Sequence, residues 1–106
     1  MIQVFPEAKS VKVEFQGEVI AETRDALRME EGTYPPVYYI PRKDVKMERL
    51  ARTDHRTHCP HKGDASYFSL PGAANAVWSY EAPFDAVAAI RGHLAFYPDK
   101  VTIRVA

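Results

Sequence analysis

A cysteine and a lysine lie close together in the segment His58-Cys59-Pro60-His61-Lys62. Nearby positive charge stabilises a thiolate, which is the form in which a cysteine acts as a nucleophile. The chain has one cysteine, so it cannot form an internal disulfide or resolve an oxidised thiol that way. The alternative is a buried and inert thiol, since free cysteines are among the most buried residues. Cys59 is therefore a candidate nucleophile.

Lys62 and Glu81 are candidates for proton transfer. Each is polar and lies beside a segment suited to burial: Lys62 follows the Pro60 turn, and Glu81 follows Trp78-Ser79-Tyr80. A charge beside a core requires water, a ligand or an opposite charge. We therefore predict that Lys62 and Glu81 approach one another or share one concavity with Tyr39 and Arg42. An acid–base pair and a structural ion pair are both consistent with this pattern.

Aromatic residues are concentrated in the segments predicted to be strands, with cations near them. Aromatic walls with a few fixed cations suit a small anionic or planar ligand. The alternative is that the rings fill the core, although each tyrosine hydroxyl then needs a polar partner. Ala76, Trp78 and Tyr80 occupy every second position of a predicted strand and so share one face, which predicts that Trp78 is more than half buried. The candidate ligand-binding residues are Tyr39, Arg42, Tyr67, Trp78 and Tyr80.

Soft metal ligands are clustered in one short stretch of the chain. Three or four of them could in principle form a tetrahedral site. A structural zinc site normally joins two distant segments, and the only histidine elsewhere is His93. A solvated histidine-rich loop is the favoured interpretation, so we predict no metal site and no cofactor. The clustered residues are His55, His58, Cys59 and His61.

No sequence motif supports phosphoryl or nucleotidyl transfer. Such chemistry usually needs carboxylates that hold magnesium against a triphosphate. The chain has no Asp-x-Asp pair and no Gly-x-x-x-x-Gly-Lys loop. Its aspartates are scattered and mostly lie in turn contexts, where aspartate commonly serves as a turn or cap residue.

The length of the chain indicates one small domain, and its balanced charges indicate no strong electrostatic field. The 106 residues match the commonest domain size. Fourteen basic and fourteen acidic side chains cancel, so no long-range attraction to nucleic acid or to an anionic membrane is expected. No apolar run is long enough to span a bilayer, and the first residues lack the pattern of a signal peptide. We therefore expect a cytoplasmic protein.

Alternating apolar residues predict a mostly β fold. Residues 11–15 alternate with period two, and the turn at 16–18 leads into 19–21 as a hairpin. Residues 26–30 are predicted to form either a third strand or a short helical turn. Other strands are predicted at 37–40, 65–70 and 76–80, and a C-terminal hairpin joins 94–97 to 101–105. Short helices are predicted at 42–50 and from Pro83 to Gly92, with a loop at 51–63. We predict a single compact β-sandwich or small barrel with one or two short helices.

Several sequence blocks together resemble a known family. They include Tyr34-Pro35-Pro36-Val37-Tyr38-Tyr39-Ile40-Pro41, Cys59-Pro60-His61-Lys62-Gly63 and Trp78-Ser79-Tyr80-Glu81, in unbroken order between Val11 and Val105. The chain resembles the family called domain of unknown function 427, also labelled nucleotidyltransferase family 9. The resemblance implies a β-tent-like fold and no particular activity. Several β-tent proteins bind zinc through paired Cys-x-x-Cys knuckles, which a chain with one cysteine cannot form.

Two function classes remain open on the sequence. The first is a domain that binds a small anionic or nucleotide-like molecule, with or without catalysis by Cys59, Lys62 and Glu81. The second is a non-catalytic protein-interaction module that presents strand edges or an aromatic patch. A concave pocket lined by the candidate residues favours the first, and a flat exposed apolar patch favours the second. The ligand, the reaction and the oligomeric state stay open.

We predict that the domain folds without structural zinc, because it has one cysteine and no distant pair of ligands. Dialysis against EDTA is expected to leave the melting temperature unchanged. Circular dichroism during heating measures this, and zinc that survives dialysis at one ion per chain would contradict the prediction.

Overall fold

Strands form along nearly the whole chain, because apolar residues alternate with polar ones in most segments. The computed structural model describes residues 1–106. Strand residues make up 55% of the chain and helical residues 11%, which confirms the predicted mostly β fold. The strands are β1 (Ile2–Pro6), β2 (Val11–Phe15), β3 (Glu18–Thr23), β4 (Leu27–Glu31), β5 (Val37–Tyr39), β6 (Ala51–Cys59), β7 (Gly63–Leu70), β8 (Ala73–Tyr80), β9 (Leu94–Phe96) and β10 (Thr102–Val105).

The strands form three antiparallel sheets. The first sheet has the order β1-β4-β5, the second β10-β2-β3 and the third β6-β7-β8-β9. None of them closes on itself, so the domain is an open assembly of sheets and the barrel alternative is not adopted. The hairpin predicted between β2 and β3 is present. Its turn places Gln16 at φ 51° and Gly17 at φ 82°, the left-handed backbone of a tight hairpin turn.

One short backbone bridge joins the first sheet to the third. Ile40, just after β5, donates its amide to the Leu94 carbonyl at 2.8 Å, and Leu94 donates back to Ile40 at 2.8 Å. Both residues are fully buried, with 1% and 0% of their surfaces exposed. The bridge fixes the residues on either side of Ile40 against the third sheet.

The third sheet separates two hydrophobic cores. Successive strand residues point to opposite faces of a sheet, so neighbours in sequence enter different cores. Phe68 and Val77 face the larger core, which also contains Val11, Ile20 and Leu94. The smaller core lies on the other face of the sheet. It consists of Met29, Tyr39, Ala65, Tyr67, Tyr80, Val87, Ile90 and Ala95, with Trp78 and Cys59 packed against it.

The loop predicted at 51–63 is wrong, because residues Ala51–Cys59 form β6 at the edge of the third sheet. Nearly all of its side chains are exposed on both faces, so no apolar alternation marks it as a strand. Its pairing with β7 shifts register between Arg52 and Arg56. Charged side chains and a bulge on an edge strand discourage further strands from pairing with it.

The predicted C-terminal hairpin is also wrong. β9 pairs with β8, and β10 crosses to the second sheet, where it pairs with β2. The Pro98-Asp99 turn therefore changes sheets rather than closing a hairpin. β1 was not expected, and it pairs with β4. For β9 and β10, the local pattern indicates that a strand forms but not which strand it pairs with.

The predicted helices are reduced to three 3₁₀ segments, at Arg42–Asp44, Met47–Arg49 and Asp85–Ile90. The last lies where a helix was expected after Pro83, and it is kinked at Val87, whose φ of −126° is not helical. Short 3₁₀ turns commonly serve as connectors between larger elements. No helix of the domain is long and apolar enough to cross a membrane.

Substitution of Leu94 by alanine is expected to lower the free energy of unfolding by about 2–5 kcal/mol, since it leaves a cavity in the larger core beside the bridge. Leu27→Ala is the matched control, because Leu27 is half-buried. Its expected loss is about 1 kcal/mol. Urea unfolding measures both, and equal losses would contradict the position of Leu94 at the centre of the core.

Candidate functional site

The candidate site residues are divided between the two faces of the third sheet. Tyr67 and Trp78 face each other across β7 and β8 and lie on the side of the smaller core, as does Tyr80. Glu81 follows Tyr80 directly, and it bonds to Ser79 on the opposite face. One residue of sequence separation therefore places Glu81 on the other side of the sheet from the tyrosines.

Five of the eight candidate residues line one pocket of about 180 Å³, which we call the tyrosine pocket. The predicted members are Tyr39, Lys62, Tyr67, Trp78 and Tyr80, and the remaining lining residues are Met29, Glu31, Tyr34, Pro35, Val37 and Tyr97. Tyr39 reaches the pocket because the Ile40–Leu94 bridge holds the end of β5 against the third sheet. Its ring meets that of Trp78 edge-on, with centroids 6.4 Å apart. Trp78 is largely buried, as predicted.

The aromatic polar groups of the pocket differ in whether they have partners. The Trp78 indole Nε1–H donates to the Tyr39 hydroxyl at 3.4 Å, and the Tyr67 hydroxyl bonds to Thr57 Oγ1 at 2.8 Å. The Tyr80 hydroxyl has no hydrogen bond within the chain, yet no fully buried side-chain nitrogen or oxygen lacks a partner. The Tyr80 hydroxyl oxygen therefore reaches open space, and it is free to bond to a ligand or water.

Burial raises the pKa of two pocket tyrosines, Tyr39 and Tyr80, whose phenols are already neutral at pH 7. It raises the pKa of Tyr39 to about 12, and it raises the pKa of Tyr80 well above the usual range for a phenol. Loss of a proton inside an apolar environment would leave an unsolvated phenolate, which is unfavourable. These hydroxyls therefore remain available as neutral hydrogen-bond donors and acceptors near pH 7.

Lys62 is held in the pocket by an ion pair and by a turn whose backbone packs closely against residues 82–84. Its Nζ lies 3.2 Å from Glu31 Oε1, and only 14% of its side chain is exposed. Its carbonyl accepts the Phe84 amide at 2.9 Å. The next residue, Gly63, has φ 117°, and a Cβ there would lie 3.4 Å from the Ala82 carbonyl oxygen. This close approach fixes the backbone from which Lys62 extends.

Glu81 and Arg42 form a separate network that is satisfied within the protein. Arg42 Nη1 donates to Glu81 Oε2 at 3.2 Å and to the Gly92 carbonyl at 2.8 Å. The Ser79 hydroxyl donates to the same Glu81 oxygen. Arg42 also lies over the Phe68 ring, 5.7 Å from its centroid, on the face of the larger core. Lys62 and Glu81 therefore do not form an ion pair with each other: Lys62 pairs with Glu31, and Glu81 pairs with Arg42.

Cys59 and the histidines do not form a common site. Cys59 packs against the smaller core but does not line the tyrosine pocket. His58 bonds to Asp64 at 2.7 Å, while the His55 ring lies 4.5 Å from that of Tyr67. No group of three histidine, cysteine, aspartate or glutamate side chains is arranged to hold a metal ion.

Sequence reasoning missed several residues of the tyrosine pocket. Glu31 lies two residues after buried Met29, so strand alternation could have placed it on the same inward face. Tyr97 ends the strand predicted at 94–97, but it was not among the ligand-binding candidates. Tyr34 and Pro35 lie on the segment between β4 and β5, where no periodicity indicates that they reach the pocket.

A larger apolar cavity of about 550 Å³ adjoins the tyrosine pocket, and we call it the apolar trough. The two cavities share Glu31, Tyr34, Pro35, Val37, Trp78 and Tyr97. The other residues of the trough are Pro36, Tyr38, Phe96, Pro98, Ile103 and Val105. The trough thus lies where β5, β9 and β10, which come from three different sheets, approach one another.

Comparison with known protein families supports the resemblance seen in the sequence. A family model described as a domain of unknown function, DUF427, matches residues 3–106. The chain belongs to the DUF427 family. The match spans the tyrosine pocket, the Glu81 network and all ten strands of this DUF427 domain except the first residue of β1. A search of curated proteins found no match. The family description assigns no activity, so the function has to be argued from the sites.

The Glu81 network generates a pH-dependent prediction. Burial alone would raise the pKa of Glu81, but hydrogen bonds from Ser79 and Arg42 outweigh it, and the pKa is lowered from its usual value of 4.5. A carboxyl whose pKa is lowered on folding stabilises the protein above its unfolded pKa, and that contribution disappears as the pH falls through the folded value.

Glu81→Gln is therefore expected to reduce stability at pH 7 by about 0.5–1 kcal/mol, a modest effect because Glu81 is 38% exposed. The difference from the unmodified protein should shrink as the pH falls below about 4.5. Urea unfolding at several pH values measures it. Glu48→Gln, at an exposed glutamate, is the control, and a difference independent of pH would contradict the prediction.

Proposed function

We propose that this DUF427 domain binds a small planar heterocycle of nucleobase type in the tyrosine pocket. The observation that carries the proposal is the Lys62–Glu31 ion pair among aromatic rings, with an unpartnered Tyr80 hydroxyl beside it. A partly buried donor and a neighbouring acceptor give a ligand site its orientation, while apolar walls supply most of the contact area.

The ion pair supplies a donor next to an acceptor. A lysine ammonium has three N–H donors, and the only side-chain acceptor that Lys62 bonds is Glu31. The Glu31 carboxylate keeps further lone pairs for a donor from the ligand. A lactam edge, with its N–H beside its C=O, is complementary to this arrangement, since the N–H can bond to Glu31 and the C=O can accept from Lys62.

The charge of the pocket favours a neutral head group over an anion. Glu31 offsets the charge of Lys62, and Tyr39 and Tyr80 are neutral phenols near pH 7. An anionic group placed at Lys62 would also lie near the Glu31 carboxylate, and like charges repel. Of the two ligand types suggested by the sequence, the nucleotide-like one is therefore better supported at this end of the cavity.

The size and walls of the pocket suit a single flat ring. Its volume of about 180 Å³ is smaller than a typical pocket for a drug-sized molecule. Trp78 is partly exposed, Tyr97 is 38% exposed and Tyr34 is 74% exposed, so aromatic surface is available for contact with a planar ligand. Base–aromatic contacts of this kind contribute about 1–3 kcal/mol each.

The geometry favours binding over catalysis. The three residues suggested for catalysis do not converge, because Cys59 lies outside the pocket lining and Glu81 lies on the opposite face. The alternative of a protein-interaction module through a strand edge is less well supported. The open edge of the third sheet is β6, whose charged side chains and irregular register discourage strand addition.

Uracil is expected to bind the unmodified protein. 1,3-Dimethyluracil has no N–H to donate to Glu31 and carries a methyl group in its place, so it is expected to bind at least about ten-fold more weakly. Trp78 is the one tryptophan and lines the pocket, so its fluorescence reports binding directly. This comparison of ligands uses the unmodified protein and does not depend on any variant folding.

Lys62→Met is expected to weaken uracil binding by at least about ten-fold, because a charged donor to the ligand is lost. Lys100→Met, at an exposed lysine outside the pocket, is the matched control and should bind uracil normally. Equal affinity for uracil and dimethyluracil, or no binding of uracil, thymine or hypoxanthine, would overturn the proposed function.

A further inference from the structure

We infer that the ligand has two parts, a planar heterocyclic head in the tyrosine pocket and an apolar chain that lies in the adjoining trough. This inference rests on the proposed function and specifies its ligand class. Six lining residues, from Glu31 to Tyr97, belong to both cavities, so the two are parts of one continuous cleft.

The polarity of the cleft changes abruptly along its length. The tyrosine pocket contains the Lys62–Glu31 ion pair and the Tyr80 hydroxyl. Apart from Glu31, every residue that lines the trough is apolar, aromatic or proline. A molecule that fills both parts is complementary to the cleft when it is polar at one end and apolar at the other, because apolar surface that enters the trough gains from leaving water.

The trough is open and has the dimensions of a ligand site. Its volume of about 550 Å³ lies within the range of small-molecule pockets. Tyr34 and Tyr97 are exposed at its rim, and Ile103 and Val105 of β10 are only half-buried along its wall. Contiguous exposed apolar surface of this kind commonly marks a binding site.

The walls favour a hydrocarbon chain over an extended peptide. A peptide that adds to a sheet edge needs backbone donors and acceptors along the groove. Pro35, Pro36 and Pro98 line the trough, and proline has no amide hydrogen to donate. A chain of methylene groups needs no such partners and gains from burial alone.

Uracils that carry linear alkyl chains, from methyl to hexyl, test the inference by titration against Trp78 fluorescence. Each methylene that enters the trough is worth about 0.8 kcal/mol, which corresponds to about a four-fold gain in affinity. We expect this stepwise gain in the unmodified protein until the trough is filled.

The double variant Ile103→Thr, Val105→Thr places hydroxyl groups in the wall of the trough. Val105→Thr keeps the size of the side chain, whereas Ile103→Thr also removes one carbon. It should bind uracil as the unmodified protein does and lose most of the gain per methylene. Val19→Thr, a half-buried strand valine outside the cleft, is the matched control and should retain the full gain.

The outcomes separate the inference from the proposed function. If uracil binds but methyl and hexyl derivatives bind equally, the trough takes no chain and the inference fails while the proposed function stands. If Lys62→Met leaves the affinity for long-chain uracils unchanged, the polar end of the cleft does not bind the uracil ring. The inference and the proposed function then both fail. Self-association of the protein that is lost in the double variant, without any dependence on chain length, would show instead that the trough is covered by a second copy and would overturn the inference.

Discussion

The backbone bridge between Ile40 and Leu94 determines where the functional residues of the first sheet lie. Its two hydrogen bonds of 2.8 Å are buried on all sides, so breaking them would leave two unpaired peptide groups in the core. On one side of Ile40, the bridge places Tyr39 against Trp78. On the other side, the chain continues to Arg42, which reaches the Gly92 carbonyl and Glu81. Both the tyrosine pocket and the Glu81 network depend on this one contact between sheets.

Alternation from Val77 to Tyr80 of β8, and at Tyr67 and Phe68 of β7, then assigns these side chains to a face, and this explains how much the sequence could predict. The pattern of residues 76–80 was sufficient to predict that Trp78 is largely buried and that Tyr80 shares its face, and the hairpin of β2 and β3 followed from its turn residues. The same alternation, applied one residue further, would have separated Glu81 from Tyr80. Glu81 was expected to pair with Lys62 only because each charge lies beside a buried segment. Such a charge can be stabilised by any opposite charge that lies on the same face of the sheet.

Partners that are distant in sequence could not be predicted from local pattern. Glu31 pairs with Lys62, and β10 pairs with β2, because the assembly of three sheets brings them together. No periodicity within either segment encodes that choice. β6 was missed for a different reason, since a strand that is exposed on both faces carries no apolar signal at all. The residues that define the cleft therefore combine a predictable aromatic face with a tertiary arrangement that only the structure reveals.

The crossing of β10 to the second sheet has a consequence for the order of assembly during folding. β2 lies near the start of the chain and β10 near its end, and Ser10 and Ala106 exchange backbone hydrogen bonds. Pairings between such distant segments give a high contact order, which slows folding because a long loop must close first. One wall of the trough is built by Ile103 and Val105 of β10. β10 is the last of the ten strands to emerge from a ribosome, so the cleft is completed only after the other nine strands have been synthesised.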